Sequence, residues 1–455
     1  MASSVDCGYG LEIEYDEDYK KCFGPTLDIS FASIVSLAAK ANFPNSQSLP
    51  GGQVVNRHLG YSNIVHIIEF DCGKKSIVRV PAHGWGNKFD QRHKDSLRSQ
   101  VFTLQLIRSK TSIPVPEILD FSTESSNIIG APYMVMSFLP GQSLGHMWTD
   151  ASGPTYLETR RLRSLDTVAE AMSQLASLKF DKIGILLPKH VHDPESFEIG
   201  PCGFFEASDE SSQPNSSPQR RETGPFKSSR DYMWASYGAS ETDFMSGSFN
   251  YEKTLKQLIS YLPQDTLDET FVLTHPCLDL ENILVDEEGN LTGMIDWDNV
   301  HTVPEFLGYA RLPSWIWRDW DPLMYGVEEA GPLDIPKEGS PEQLAQYRNH
   351  YSDKLRDLLK GDHCLEYLLR SHIFTSIASA VGGDISRFLI LSKVITEALG
   401  DDMPEDMNAW DILFSIEKDE LDGKIEDLLN EKLKALLGWQ DDDYRVDLEI
   451  LFASA

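Results

Sequence analysis

The stretch from Phe271 to Asp298, FVLTHPCLDLENILVDEEGNLTGMIDWD, constrains the fold more than any other part of the chain. An apolar strand end, Phe271-Val272-Leu273, runs into a polar loop opened by His275. A tight hairpin follows. Its strands are expected over Asn282–Val285 and Leu291–Ile295, and Glu288-Gly289-Asn290 makes the turn. Asp296 comes directly after the second strand. A loop asparagine and an aspartate just past a short hairpin converge readily on one cation. Magnesium suits such a pair, because it takes a few hard oxygen ligands and shares them with phosphates.

At 455 residues the chain exceeds one typical domain and has room for two lobes. Lys and Arg number 40 against 71 Asp and Glu, a formal charge of −31. That balance repels nucleic acid and anionic membranes, so neither is an expected partner. An anionic nucleotide then needs local positive potential. No apolar run approaches twenty residues, and no transmembrane helix is expected. The acidic N-terminus, MASSVDCGYGLEIEYDEDYKK, lacks the apolar core of a signal peptide. The six cysteines (7, 22, 72, 202, 277, 364) are dispersed with no CxxC pair. Reduced thiols in a cytoplasmic protein are the expectation, without a structural zinc site.

The order His, loop, Asn, hairpin, Ile-Asp is the layout of a kinase catalytic loop followed by its metal-binding aspartate. The stretch resembles the aminoglycoside-phosphotransferase (choline-kinase-like) family in its fungal form, whose loop runs H-x-D-x-x-x-x-N with I-D-W/F following. His275 and Asn282 keep the family's spacing, and Ile295-Asp296-Trp297 matches the second part. The catalytic Asp position holds Cys277 instead. The resemblance covers roughly residues 53–310. It implies an α+β, protein-kinase-like fold with a small β-rich N-lobe (48–140) and a larger helical C-lobe (141–415). It also implies ATP and Mg as cofactors and a small hydroxylated substrate.

Residues 1–47 read as an N-terminal arm with a short helix over Ser30–Ala41. Strand-like runs follow at Val54-Val55, Ile64–Phe70 and Ser76–Pro81. Between the first two lies Leu59-Gly60-Tyr61-Ser62-Asn63. By resemblance its Ser62 and Asn63 cover the nucleotide phosphates with backbone N–H groups; an ordinary hairpin loop reads the same. Arg79 stands where kinases keep the strand lysine, and a guanidinium also grips phosphate. The alternative is a plain surface strand residue. Asp95–Lys110 is an amphipathic helix with Leu97, Val101, Leu104 and Ile107 on one side. Where the family carries a Glu, it holds Gln100, which can hydrogen-bond Arg79 but cannot neutralise it. Ile113-Pro114-Val115-Pro116 fixes an extended run, and Ile129–Gly141 matches the strand into the interlobe hinge. Backbone around Met136 to Phe138 would contact adenine by resemblance, although any buried strand needs the same apolar run.

Further helices are expected over Arg160–Leu178, Tyr251–Leu262, Pro341–Lys360, His363–Ser379 and Asp384–Leu399. Residues 206–229, rich in Ser, Pro and charge, read as a mobile insertion, and residues 416–455 open with an acidic helix interrupted near Gly423. The aromatic run Tyr309–Trp320 is either interface packing or a wall of the acceptor pocket.

In-line phosphoryl transfer is mainly positioning and electrostatics. By resemblance Asn282 and Asp296 hold metal, Arg79 the phosphates, and His275 is a structural hydrogen-bonder. Cys277 is a poor acceptor and mostly a thiol at neutral pH, and nearby Asp296 raises its pKa further. Asp279, two residues on, is a candidate substitute base or a structural acid. Three functions follow: a small-molecule O-phosphotransferase with a degenerate loop, a pseudokinase binding nucleotide or a partner without turnover, or a kinase fold repurposed for other chemistry at Cys277. The acids Asp279, Glu281, Asp296, Asp298 and Glu305 suggest a cationic or polyhydroxylated ligand.

Overall fold

The computed structural model describes residues 17–60, 62–189, 196–205, 220–237, 250–263, 269–320, 339–383 and 386–438. The chain opens with two short helices, α1 (Glu17–Phe23) and α2 (Phe31–Asn42). Strands β1 (Gly52–Leu59), β2 (Asn63–Phe70) and β3 (Lys75–Pro81) come next, then α3 (Gln91–Lys110), β4 (Ile118–Ser122) and β5 (Tyr133–Ser137). The five strands form one sheet in the order β1-β2-β3-β5-β4, with every neighbouring pair antiparallel. Alternation dictates its faces: Ile64, His66, Ile68 and Phe70 of β2 are buried while their neighbours are half-exposed.

The arm is not a separate appendage. Phe23, Leu27, Ile34, Leu37 and Ala38 share one apolar cluster with Ile64, Ile68, Val78 and Val80 of the sheet. Asn42 at the end of α2 donates to the Ser76 hydroxyl of β3 at 2.9 Å. The other side of the sheet meets α3, whose Leu97 and Val101 pack with Met134 and Met136 of β5. That helix begins four residues before the expected Asp95, because the Asp90 carboxylate caps it by accepting from the His93 N–H.

The second lobe is mostly helical. It runs through β6 (Gln142–Ser143), α4 (Leu144–Thr149), α5 (Leu157–Ser173), β7 (Lys179–Phe180), β8 (Leu186–Pro188), β9 (Phe197–Ile199), β10 (Cys202–Phe205) and β11 (Arg220–Thr223). After α6 (Ser229–Ala235) and α7 (Glu252–Ser260) come β12 (Phe271–Val272), β13 (Ile283–Val285), β14 (Leu291–Met294) and β15 (Val303–Pro304). Helices α8 (Pro341–Leu358), α9 (Leu365–Leu368), α10 (Ser371–Val381), α11 (Arg387–Leu399), α12 (Ala409–Lys418) and α13 (Gly423–Leu437) complete it. One large core links α5, the β12–β14 region and α8 to α13.

Several expected boundaries move. The Arg160–Leu178 helix starts at Leu157, and its last turn, Gln174–Ser177, tightens to 3-10 geometry. The expected helix His363–Ser379 is two, because Leu369-Arg370 intervenes between α9 and α10. The acidic C-terminal helix begins earlier, as α12, and breaks at the left-handed Asp419; α13 then starts on Gly423, capped by Asp422. Within the expected insertion 206–229, residues 206–219 lie outside the described residues. Arg220–Thr223 is ordered as β11, paired antiparallel with β10. Among the described residues no single helix is long and apolar enough to cross a membrane.

Candidate functional site

Strand β12 sits between β7 and β15, and its buried residues carry the chain inward to His275. The His275 ring is fully buried against Trp297, 4.5 Å between centroids, and its Nε2 lies 2.8 Å from the Ile295 carbonyl oxygen. Burial pushes its pKa down to about 4, so the imidazole is neutral. His275 therefore ties the loop to the strand that delivers Asp296. Trp297 in turn donates its indole N–H to the Met294 carbonyl at 3.1 Å.

Cys277 is exposed at the tip of this loop. Its carbonyl accepts from the Asn282 side-chain amide at 3.0 Å and from the Asp279 backbone N–H at 2.9 Å. The thiol is pushed above its ordinary pKa, first by desolvation and then by Asp279 and Asp296, against the opposing fields of Arg311 and Arg318.

Asp279 is fully committed to structure. One carboxylate oxygen accepts from the Leu280 N–H at 2.6 Å; the other meets Arg318 at 3.0 Å and the Ser314 hydroxyl. Both carboxylate oxygens are thus turned to the Arg318, Ser314 and Leu280 donors, an arrangement that argues against substitution for the missing aspartate. Arg311 donates to the His275 carbonyl at 2.6 Å, and the Ser314 N–H donates to the Leu278 carbonyl at 3.0 Å. The segment 311–318 thus clamps the loop from His275 to Asp279. Arg311, Ser314 and Arg318 were missed in the sequence because they are embedded in an aromatic run. The signal for them was two arginines flanking a proline next to an acidic loop.

Hairpin β13–β14 places Asp296 just beyond its end, in a left-handed backbone conformation (φ +62°). The Asp296 pKa is raised, chiefly by burial and then by the neighbouring Asp298 carboxylate. Arg79 crosses from β3 to both: its Nη2 is 3.1 Å from Asp296 Oδ1 and also binds Asp298 Oδ2. Two carboxylates against one guanidinium leave negative charge to be balanced, which fits a divalent cation held by Asp296 together with Asn282. The N-lobe side of this cluster is arranged differently. Asn63 donates to Asp298 Oδ2 at 2.8 Å, and Gln100 donates to Asp298 Oδ1. Gln100 does not touch Arg79 in the way expected of it; it joins the same acid. Asp298 is the hub that the sequence reading had counted only among the cleft acids.

Ser62 is exposed in the β1–β2 turn, and its carbonyl accepts from the Ala82 N–H at 2.8 Å; Tyr61 lies outside the described residues. Met136 is buried in β5 with a strand on each side, and its carbonyl accepts the Ser76 hydroxyl at 3.0 Å. Its backbone is used by the sheet. Phe138, just past the strand, is half-buried with Lys75 Nζ 5.6 Å from its ring centroid. In the aromatic run, Tyr309 and Trp315 are core, whereas Trp317 and Trp320 are partly exposed and gather around His372. Nor do the five acids make one open acidic cleft. Asp279 and Asp298 are ion-paired, and Glu305 is buried against Lys179 at 3.0 Å.

The fold and this loop-and-hairpin constellation define a kinase-like small-molecule phosphotransferase scaffold of two lobes, α+β in class. A family model described as the phosphotransferase enzyme family (APH) matches residues 60–358, and the chain belongs to that family. Among characterised sequences, it is similar to the Candida tropicalis protein named altered inheritance of mitochondria protein 9, mitochondrial. They are 26% identical over 141 residues, 31% of this chain and 22% of that protein. A subtelomeric hrmA-associated cluster protein of Aspergillus fumigatus is 28% identical over 155 residues, 32% of this chain and 28% of the relative. The match thus spans under a third of either relative. Among solved structures, a putative aminoglycoside phosphotransferase from Ralstonia eutropha aligns with a TM-score of 0.45 at 14% identity, covering 88% of this chain and 98% of that one.

Proposed function

We propose that the protein binds a magnesium nucleotide between its lobes and phosphorylates a hydroxyl of a small molecule, with no positioned carboxylate base. The observation that carries this reading is the bond from the Ile295 N–H to the Asn282 carbonyl at 2.9 Å, which brings the residue before Asp296 onto Asn282, while the Asn282 amide donates to the carbonyl of the exposed Cys277. The metal-binding residues that the family resemblance implies are kept, whereas the base at position 277 and the helix Glu at position 100 are replaced. Bound magnesium would neutralise charge on the transferring phosphoryl group. Asp296 and Asn282 would hold it, and Arg79 would move from the two carboxylates to the phosphates. The acceptor proton then has no side-chain destination near residue 277 and passes to solvent. Because the transition state is loose, this slows transfer, by about 100- to 10,000-fold, without abolishing it.

A second reading, a pseudokinase, is favoured by a specific arrangement: Asn63, Arg79 and Gln100 all close on Asp298. A nucleotide must displace these contacts to use Arg79. Thermal unfolding with ATP, with and without magnesium, on wild type and Asp296→Ala decides whether the nucleotide site works. Ligand at about 100 times its dissociation constant stabilises by about 2.7 kcal/mol. A magnesium-dependent shift lost in Asp296→Ala is the expected result. No shift at any concentration would overturn the phosphotransferase reading and leave a pseudokinase that binds a partner and not a nucleotide. A shift without transfer to any hydroxylated acceptor, even in Cys277→Asp, would leave the pseudokinase reading.

A further inference from the structure

Away from the cleft, the turn before α9 meets the segment after β15. Glu305, His363 and Cys364 come together there, with a carboxylate oxygen, an imidazole nitrogen and the thiol sulfur all within 4.8 Å of one another. We propose that these three side chains form a zinc site that staples the α9 turn to the Glu305 segment.

The donor set selects the ion. One sulfur, one nitrogen and one oxygen suit zinc, whereas magnesium and calcium demand oxygen alone. Donors around a tetrahedral zinc sit about 3.5 Å apart, so the site needs a closure of about an ångström at most. Glu305 and Cys364 are buried, and His363 is exposed, which leaves a path for entry and room for a water as fourth ligand. His363 Nε2 already contacts Glu305, and its Nδ1 is 3.9 Å from Asp362 Oδ1. Asp362 is itself held by the Tyr309 hydroxyl at 2.6 Å. A small turn of the ring would bring His363 Nδ1 within hydrogen-bond reach of this anchored carboxylate, the support that metal-bound histidines ordinarily have.

Lys179 gives the second observation. Its ammonium lies 3.0 Å from Glu305, 3.3 Å from the Tyr309 hydroxyl and 3.9 Å from Cys364 Sγ. The cluster is therefore a seat for positive charge. The lysine side chain is 35% exposed and long enough to swing into solvent when a divalent ion takes its place. The Cys364 thiol loses its proton to water as the zinc–sulfur bond forms. A lysine–glutamate–histidine ion-pair cluster without metal is the competing account.

Metal-stripped full-length protein titrated with zinc, and separately with cobalt as a spectroscopic substitute, separates the two. Wild type is expected to bind zinc at one equivalent and to show a thiolate-to-cobalt charge-transfer band. His363→Ala, an exposed change that spares the core, should weaken zinc binding at least about tenfold, and Cys364→Ser should lose the band. Lys179→Gln should bind zinc more tightly, because a competing cation is gone. Asp296→Ala should bind zinc as wild type does, since that residue belongs to the cleft. Absence of the cobalt band in wild type, zinc binding unchanged by both His363→Ala and Cys364→Ser, or binding no tighter in Lys179→Gln would overturn the proposal.

Discussion

Gln100 of α3 donates to the Asp298 carboxylate and not to Arg79, although both α3 and β3 belong to the N-lobe and Asp298 to the C-lobe. The two lobes are thus latched through one acid, which also receives Asn63. A half-buried carboxylate with three donors is worth more than an exposed surface pair, because each donor would otherwise be left wanting. Asp298→Ala is expected to loosen the latch and leave Arg79 held by Asp296 alone. Hydrogen exchange in β3 and α3 should rise, and nucleotide affinity should improve if Arg79 then reaches phosphate. Unchanged exchange in both elements would refute the latch.

Restoring a carboxylate at position 277 tests the proposed loss of the base. Cys277→Asp is expected to raise phosphoryl transfer by about 100- to 10,000-fold on a suitable acceptor. Asp279 is engaged by Arg318 and Ser314, which favours a structural role over that of a substitute base. Asp279→Asn is accordingly expected to lower stability more than it changes the pH dependence of turnover. Transfer assays on both variants, paired with melting temperatures, check this.

Cys277 also bears on the reading in which it is a nucleophile. Its thiol pKa is raised by desolvation and by Asp279 and Asp296, and the two arginines nearby only offset this. A reactive cysteine needs the opposite shift. Alkylation by iodoacetamide, followed by peptide mass spectrometry, should be slower at Cys277 than at a free model thiol near neutral pH, and should accelerate as the pH rises. Faster labelling than the model thiol would revive the nucleophile.

The sequence made the catalytic-type loop, the hairpin and the β-rich lobe legible because each has a strong local signal: fixed His-to-Asn spacing, a Gly-containing turn, and alternating apolar strands. The placement of the arm was not legible, since α2 has an apolar face like any other helix and nothing local says that the sheet covers it. Asp298 was hidden for a different reason. Its role comes from Asn63, Arg79 and Gln100, which are more than about 190 positions away and meet it only in the fold. The charges of Asp279 and Glu305 suggested an acidic cleft because their partners, Arg318 and Lys179, are distant or lie in an aromatic run.

Acid should destabilise the protein through buried neutral histidines. Burial lowers the pKa of His275 from 6.5 to about 4, and of His66 and His372 from 6.5 to about 3. Each folded value lies below the unfolded one. Between them the unfolded chain binds more protons, so stability is intact above about pH 6.5 and is lost as the pH falls toward 4. For His275 alone the full effect is about 3 kcal/mol. Denaturant midpoints measured from pH 7 to pH 4.5 should fall steadily. His372→Gln should flatten part of that slope if the amide fits the site without its own strain.

The last expectation concerns α2. Ile34 is fully buried in the cluster that α2 shares with the sheet, and Phe31 meets the His66 ring edge-on at 6.1 Å. If the helix is part of the N-lobe core, Ile34→Ala leaves a cavity under β2 and β3 and costs about 2–5 kcal/mol. If it were a detachable arm, the same change would cost little. Thermal unfolding gives the magnitude, and hydrogen exchange shows where it is felt. Loss of protection in β1 to β3, with the C-lobe helices unaffected, is the outcome that makes α2 a structural member of the nucleotide-side lobe. That loss should also weaken the Arg79 contacts, because Val78 and Val80, which flank Arg79 on β3, pack in the α2 cluster while Arg79 itself reaches the other way to Asp296 and Asp298.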